Sequence, residues 1–203
     1  MDFELTEEQQ MIRETVRDFA EREIRPVAKE LDEKGEFSLD LTKKMGELGL
    51  FGMTLPEKYG GQDLDTISYI IAVEELARVD GSQAATLAAH NSLGTGPLYY
   101  YGTEAQKEKY LPPLTTGDAL WGFGLTEPDA GSDSRGTKTK SKLENGKWII
   151  NGSKIFITNG SSDISIGSTV QTVSGEVGGK KESTCHRVQK DTPGVRRMPP
   201  PGE

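Results

Sequence analysis

The period at which apolar residues recur changes once along this 203-residue chain, near residue 118, and that change sets the fold class. Before it, apolar side chains return by threes and fours, as one helical face requires. Met11, Ile12, Val16, Phe19, Ala20, Ile24, Val27, Ala28 and Leu31 follow Thr6 in this way. Thr6 with Gln9 reads as a capping-box start, and Pro26 is expected to bend that helix or end it early. A shorter helix should carry Leu41, Met45 and Leu48, followed by a Gly- and Pro-rich loop over 51–61. A third helix over 66–79 is apolar nearly all round and is expected to be central. A fourth over 82–101 is rich in Ala and Gly, and a short one opens at Thr103 and Gln106 and should end before Pro112 and Pro113. From Ala119 onward the runs are short, β-branched or aromatic, and separated by turns. Three Asn-Gly pairs (145–146, 151–152, 159–160) are strong hairpin or bend signals. The chain therefore reads as α+β: an all-helical domain over 1–118, then a β-domain over 119–194.

Charge follows the same division. Residues 1–118 hold 23 acidic and 12 basic side chains, and residues 119–203 hold 9 and 12. An acidic half repels phosphate backbones, so nucleic acid is not an expected partner. No apolar run approaches the ~20 residues of a membrane span, and the acidic start MDFELTEEQQ has no leader character. A soluble, cytoplasmic protein is expected. One cysteine (Cys185) and two histidines (His90, His186) exclude an intrachain disulfide and argue against a zinc centre. His90 is expected to be a packed helix residue. The adjacent Cys185 and His186 should point to opposite faces of an extended segment.

The last 33 residues contain only six hydrophobic side chains, and four of the ten prolines fall in the last eleven positions. STCHRVQ alternates poorly, and VRRMPPPGE cannot be a central strand. Residues 171–203 are therefore expected to be weakly ordered, with 195–203 an aberrant or disordered tail from a shifted frame or a truncated product.

The densest chemical signal is GFGLTEPDAGSD, residues 122–133. An apolar strand runs into a turn flanked by the hydroxyls of Thr126 and Ser132, so backbone N–H groups and hydroxyls could face a polar ligand edge. Gly/Pro/Asp loops are mostly only turns. This one is not a phosphate loop, for it lacks Gly-Lys-Ser/Thr, and Glu127, Asp129 and Asp133 would repel a triphosphate.

That segment resembles the flavin-binding signature of acyl-CoA dehydrogenases. LTEEQQMIRETVRDFAEREI, LGLFGMTLPEKYGG, NSLGTGPL, GTEAQKEKYLPPLTTGD and WIINGSKIFITNG look like the same family, in family order, over about residues 3–170. The resemblance implies an N-terminal helical domain, an incomplete β-barrel-like middle domain, and FAD as cofactor. Residue by residue, it implies that Leu125 and Thr126 contact the pyrimidine side of the isoalloxazine and that Phe123 and Gly131 lie along it. Ser132 would contact acyl-CoA or cofactor phosphates. Phe156 would stack beside the ring, next to Ile157, with the Thr158 hydroxyl at its N5 edge. Many relatives have Trp where Phe156 stands; Phe keeps the stacking surface and loses the indole donor. Fixed N–H and hydroxyl dipoles suit a ring that gains negative charge on reduction.

The implied reaction is α,β-dehydrogenation of an acyl-CoA thioester in fatty acid β-oxidation, with hydride passing to flavin N5. Electrons go on to an electron-transfer flavoprotein, and the implied assembly is a homotetramer. The base is a carboxylate of a C-terminal helical domain that these residues do not match, so no residue here is assigned as base, Glu127 included. A non-catalytic flavin- or acyl-CoA-binding remnant, or a related oxidase or flavin monooxygenase, are the alternatives. No metal site is implied.

Overall fold

The computed structural model describes residues 4–198. The chain divides into two compact units, Met1–Ala119 and Leu120–Glu203.

The first unit is helical. α1 (Glu7–Phe19) starts at a Thr6 capping box with Gln9, satisfying two otherwise orphaned N–H groups. It runs through a π turn at Ala20–Ile24 into α2 (Arg25–Lys34), which ends on left-handed Gly35. Pro26 does not end the helical run. It sits in the first turn of α2, where its missing N–H costs least, and the π turn before it absorbs the register change. α3 (Leu39–Glu47) and α4 (Thr66–Ala77) are N-capped by Ser38 and Asp65. α4 buries Tyr69, Ile71, Ala72 and Leu76 but leaves Ile67 and Ile70 more than half exposed, so it is not enclosed all round within the described residues.

The expected fourth helix is divided. α5 (Gly81–Ala89) passes through a π turn at His90–Thr95 into α6 (Gly96–Tyr101). α7 (Glu104–Thr115) contains both Pro112 and Pro113 rather than stopping before them. Leu111 and Leu114 on either side are fully buried, and each such side chain contributes about 1.5–3 kcal/mol, enough to hold a last turn that lacks two N–H donors.

α1 and α4 are joined by polar contacts as well as packing. The carboxylate of Glu75, 2% exposed, accepts two hydrogen bonds from Arg17 at 2.7 and 2.9 Å, with Arg13 and Arg78 at 3.7 and 3.6 Å. Gln9 Nε2 donates to Asp65 at 2.9 Å.

The second unit is a mixed five-stranded sheet. β1 (Leu120–Gly124) lies parallel to the start of β4 (Ser165–Val177). β2 (Lys140–Glu144) and β3 (Lys147–Asn151) form an antiparallel hairpin, and β2 touches β4 in parallel at Val173. Asn145-Gly146, both with positive φ, closes that hairpin; Asn159-Gly160 lies in a turn, whereas Asn151 is the last residue of β3 and Gly152 follows it without one. Trp121 is fully buried and donates its indole N–H to Thr169 Oγ1 at 3.1 Å.

β5 (Lys180–Gln189) pairs antiparallel with β4 over most of its length. The expectation of weak order from 171 onward is therefore wrong as far as 189. Gly178-Gly179, with φ of 59° and 75°, supplies the positive-φ pair a two-residue hairpin needs. β5 pairs with β4 alone, so solvent takes much of its surface and an apolar alternation is not required. Residues 195–198 have no regular structure, and the rest of the expected tail, 199–203, lies outside the described residues.

Candidate functional site

The site is built where β1 ends. Glu127 and Ala130 exchange backbone hydrogen bonds (2.9 and 3.2 Å) around Pro128-Asp129, turning the chain back sharply. Against this loop lies 152–160, the segment after β3. Ile155 N–H donates to the Thr126 carbonyl at 2.9 Å. A Cβ placed on Gly122 would come within 3.0 Å of Ile157 Cγ2 and 3.1 Å of the Thr158 carbonyl oxygen. Only a residue without a side chain lets 157–158 pack so closely on β1.

The fold thus brings together Phe123, Leu125 and Thr126 from one segment with Phe156, Ile157 and Thr158 from the other. Leu125, Thr126 and Phe123 are half-buried, while Thr158 is exposed. Gly131 and Ser132 lie on the exposed outer part of the turn, and nothing stands within 4 Å of a Cβ on Gly131. Among the described residues, no hydrogen bond is made by the Thr126 N–H or by the hydroxyls of Thr126 and Thr158.

Phe156 is the exceptional residue. Its φ is +55°, a left-handed conformation that costs a bulky L-residue about 1–2 kcal/mol, and its side chain is 75% exposed. An aromatic ring held outward on strained backbone, beside partnerless N–H and hydroxyl groups, is a surface suited to a flat heteroaromatic group with polar edges. The donors match the carbonyl and nitrogen edge of a flavin, and the ring matches its face.

Two charged residues hold the loops together. Glu127 is 5% exposed, and its carboxylate accepts from Lys138 N–H (2.7 Å), Thr139 N–H (3.0 Å) and Lys154 Nζ (2.7 Å). Lys154 Nζ also donates to the Leu125 carbonyl at 3.0 Å. Burial alone would raise the Glu127 pKa, but the Lys154 ammonium and the N–H donors outweigh it and bring it down to about 2. A carboxylate held ionised and engaged by three donors is a poor proton acceptor, which argues against Glu127 as a base. Sequence reading gave Lys154 no part. Its only signal was a lysine two residues before the aromatic of KIFITNG.

The remaining candidates are structural. His90 is fully buried, its Nε2–H facing the Leu114 carbonyl at 2.9 Å and its ring edge-on to Phe51. Burial lowers its pKa to about 4. Cys185 is exposed, and His186 Nε2 lies 3.0 Å from Ser141 Oγ. Among the described residues there is no group of three or more His, Cys, Asp or Glu that could hold a metal. No helix among them is long and apolar enough to cross a membrane.

Comparison with known proteins decides the family. The model of the acyl-CoA dehydrogenase N-terminal domain matches residues 6–118, and that of the acyl-CoA dehydrogenase middle domain matches residues 122–202. The chain belongs to the acyl-CoA dehydrogenase family. The middle-domain match runs past residue 170, where the resemblance read from sequence stopped. Among curated relatives, "Probable acyl-CoA dehydrogenase YngJ" of Bacillus subtilis (strain 168) is 51% identical over 195 residues, 96% of this chain and 51% of that protein. Among solved structures, butyryl-CoA dehydrogenase from Megasphaera elsdenii superposes with a TM-score of 0.88 at 42% identity, covering 96% of this chain and 51% of that one. An acyl-CoA dehydrogenase from Bacillus anthracis, solved in complex with FAD, gives 0.86 at 37% identity over 97% of this chain and 33% of that one. The chain thus spans about half the length of the curated acyl-CoA dehydrogenases it matches.

Proposed function

We propose that this chain forms the flavin-facing part of an acyl-CoA dehydrogenase. Phe123, Leu125, Thr126, Gly131, Ser132, Phe156, Ile157 and Thr158 would hold FAD, and Ser132 would also contact acyl-CoA. The observation that carries the reading is Phe156: exposed, in a left-handed conformation, and beside the partnerless Thr126 and Thr158 donors. FAD would supply the two-electron acceptor that the dehydrogenation of an acyl-CoA thioester requires. The chain's own residues bind and orient. Thr126 N–H and hydroxyl donate to a polar ring edge, Phe156 covers one face, and Ile157, packed on Gly122, fixes the distance between the two segments.

The residues divide as an N-terminal domain over 1–118, a middle domain over 119–194, and a tail over 195–203. In this reading the α-proton goes to a carboxylate outside residues 1–203, as the family resemblance implies. An electron-transfer flavoprotein as acceptor, a homotetramer, a cytoplasmic location and a part in fatty acid β-oxidation complete the proposal. A second reading, a flavin-binding module without catalysis, is favoured by Glu127, the buried carboxylate of this loop, being fully engaged in an ion pair with Lys154.

The test is a visible spectrum of the purified chain with added FAD, followed by anaerobic addition of a short-chain acyl-CoA. Bound flavin that stays oxidised is the expected result. Bleaching would show a base within these residues and overturn the assignment of the proton to an outside carboxylate. A chain that retains no flavin would overturn the flavin reading itself.

A further inference from the structure

Lys154 has two hydrogen-bond partners, and the second is informative. One bond goes to Glu127, as expected of a buried cation; both side chains are under a tenth exposed. The other goes to the Leu125 carbonyl oxygen. That oxygen belongs to the same peptide group as the Thr126 N–H. A cation on the oxygen end of an amide withdraws electron density from it and makes its N–H a stronger donor. With solvent excluded, the effect is little screened. The negative charge of Glu127 does not cancel it, because that carboxylate is shared with the N–H groups of Lys138 and Thr139.

The geometry also fixes direction. Lys154 holds the carbonyl before Thr126, and the N–H of Ile155 holds the carbonyl after it. Both peptide planes around Thr126 are therefore set by Lys154 and Ile155, the two residues that precede Phe156. Thr126 is left with its N–H and hydroxyl uncommitted.

We infer that Lys154 is a positioning residue that acts through the Leu125–Thr126 peptide: it orients that peptide and strengthens the Thr126 N–H as a donor to an electron-rich ring edge. The inference rests on the flavin reading above. An N–H strengthened in this way favours the reduced, more electron-rich ring over the oxidised one. A lysine that only neutralises Glu127 would have no such preference.

The test compares the wild-type chain with Lys154→Met and Lys154→Arg, first without cofactor and then with FAD. Without cofactor, the Thr126 amide proton should move upfield in Lys154→Met and return towards its wild-type position in Lys154→Arg. Exchange of the Ile155 amide should rise about tenfold or more in Lys154→Met. With FAD, Lys154→Met should bind the reduced flavin about tenfold more weakly relative to the oxidised form, lowering the two-electron potential by about 30 mV. Should Lys154→Met fail to fold, Lys154→Gln takes its place. It can still donate to the Leu125 carbonyl but carries no charge, so the Thr126 amide should again move upfield. An unmoved Thr126 amide in the uncharged variant, or equal potentials in that variant and wild type, would overturn the inference. A wild-type chain that takes no FAD would remove the flavin reading instead, and the amide shifts would still decide whether Lys154 acts on this peptide.

Discussion

At the scale of single residues, Phe156 sets stability against binding. Its ring is mostly in water, so it contributes little burial, while its left-handed backbone carries a cost. Phe156→Asn keeps the backbone conformation with a residue that tolerates it, and the chain should gain about 0.5–1 kcal/mol. Urea unfolding should show a higher midpoint, and FAD titration a weaker affinity than wild type. A drop in stability would mean that the ring packs on something and is not held out for a ligand. None of this strain is legible in KIFITNG, because a positive φ at Phe leaves no mark in composition. The residues 123–126 and 156–158 could be named from the resemblance, whereas the Glu127–Lys154 pair that joins them could not. Two opposite charges 27 positions apart signal nothing until β1 and the 152–160 segment meet.

At the scale of elements, close approach is what the sequence encodes least openly. Gly122 reads as one more glycine in a strand, yet 157–158 lies on it. Gly122→Ala would press a methyl group against Ser168 Oγ, Ile157 Cγ2 and the Thr158 carbonyl, all within about 3.1 Å. We expect a loss of about 1–3 kcal/mol, as for other overpacked sites. In the same variant, amide shifts should change at 156–158 and remain unchanged in the Asn145-Gly146 hairpin. Movement spread evenly over the sheet would contradict this account. The helices were legible where caps and apolar periods agree, as at Thr6 and Thr103, both of which form full capping boxes. They were misread wherever tertiary burial overrode a local rule. Pro112 and Pro113 stay helical because Leu111 and Leu114 are buried, and the β4–β5 hairpin forms on a Gly-Gly turn despite a polar second strand.

At the scale of the whole molecule, the two units carry different acid-sensitive groups. His90, in the helical unit, has a pKa lowered to about 4 by burial, against an ordinary value of 6.5. Between those values the unfolded chain binds the extra proton and the folded chain does not. The helical unit is therefore fully stabilised above about pH 6.5 and loses stability as pH falls towards 4, by roughly 3 kcal/mol over the window. Glu127, in the β unit, works in a lower range. Its pKa of about 2 means that its contribution is present above the ordinary carboxylate value of 4.5 and is lost as pH falls from there to 2. The β unit also holds His186, whose pKa partial burial lowers from 6.5, but His90 is fully buried and His186 only half-buried, so the helical unit should lose more stability over the upper part of the range. Both tryptophans, Trp121 and Trp148, lie in the β unit, so their emission reports on it alone, while ellipticity at 222 nm follows mainly the helices. Acid titration should give an ellipticity midpoint at higher pH than the emission midpoint. In His90→Gln the stability of the helical unit should be nearly flat between pH 6.5 and 4.5. Coincident midpoints in the wild-type chain would show that the two units unfold as one, and an unchanged slope in His90→Gln would take the histidine out of the account.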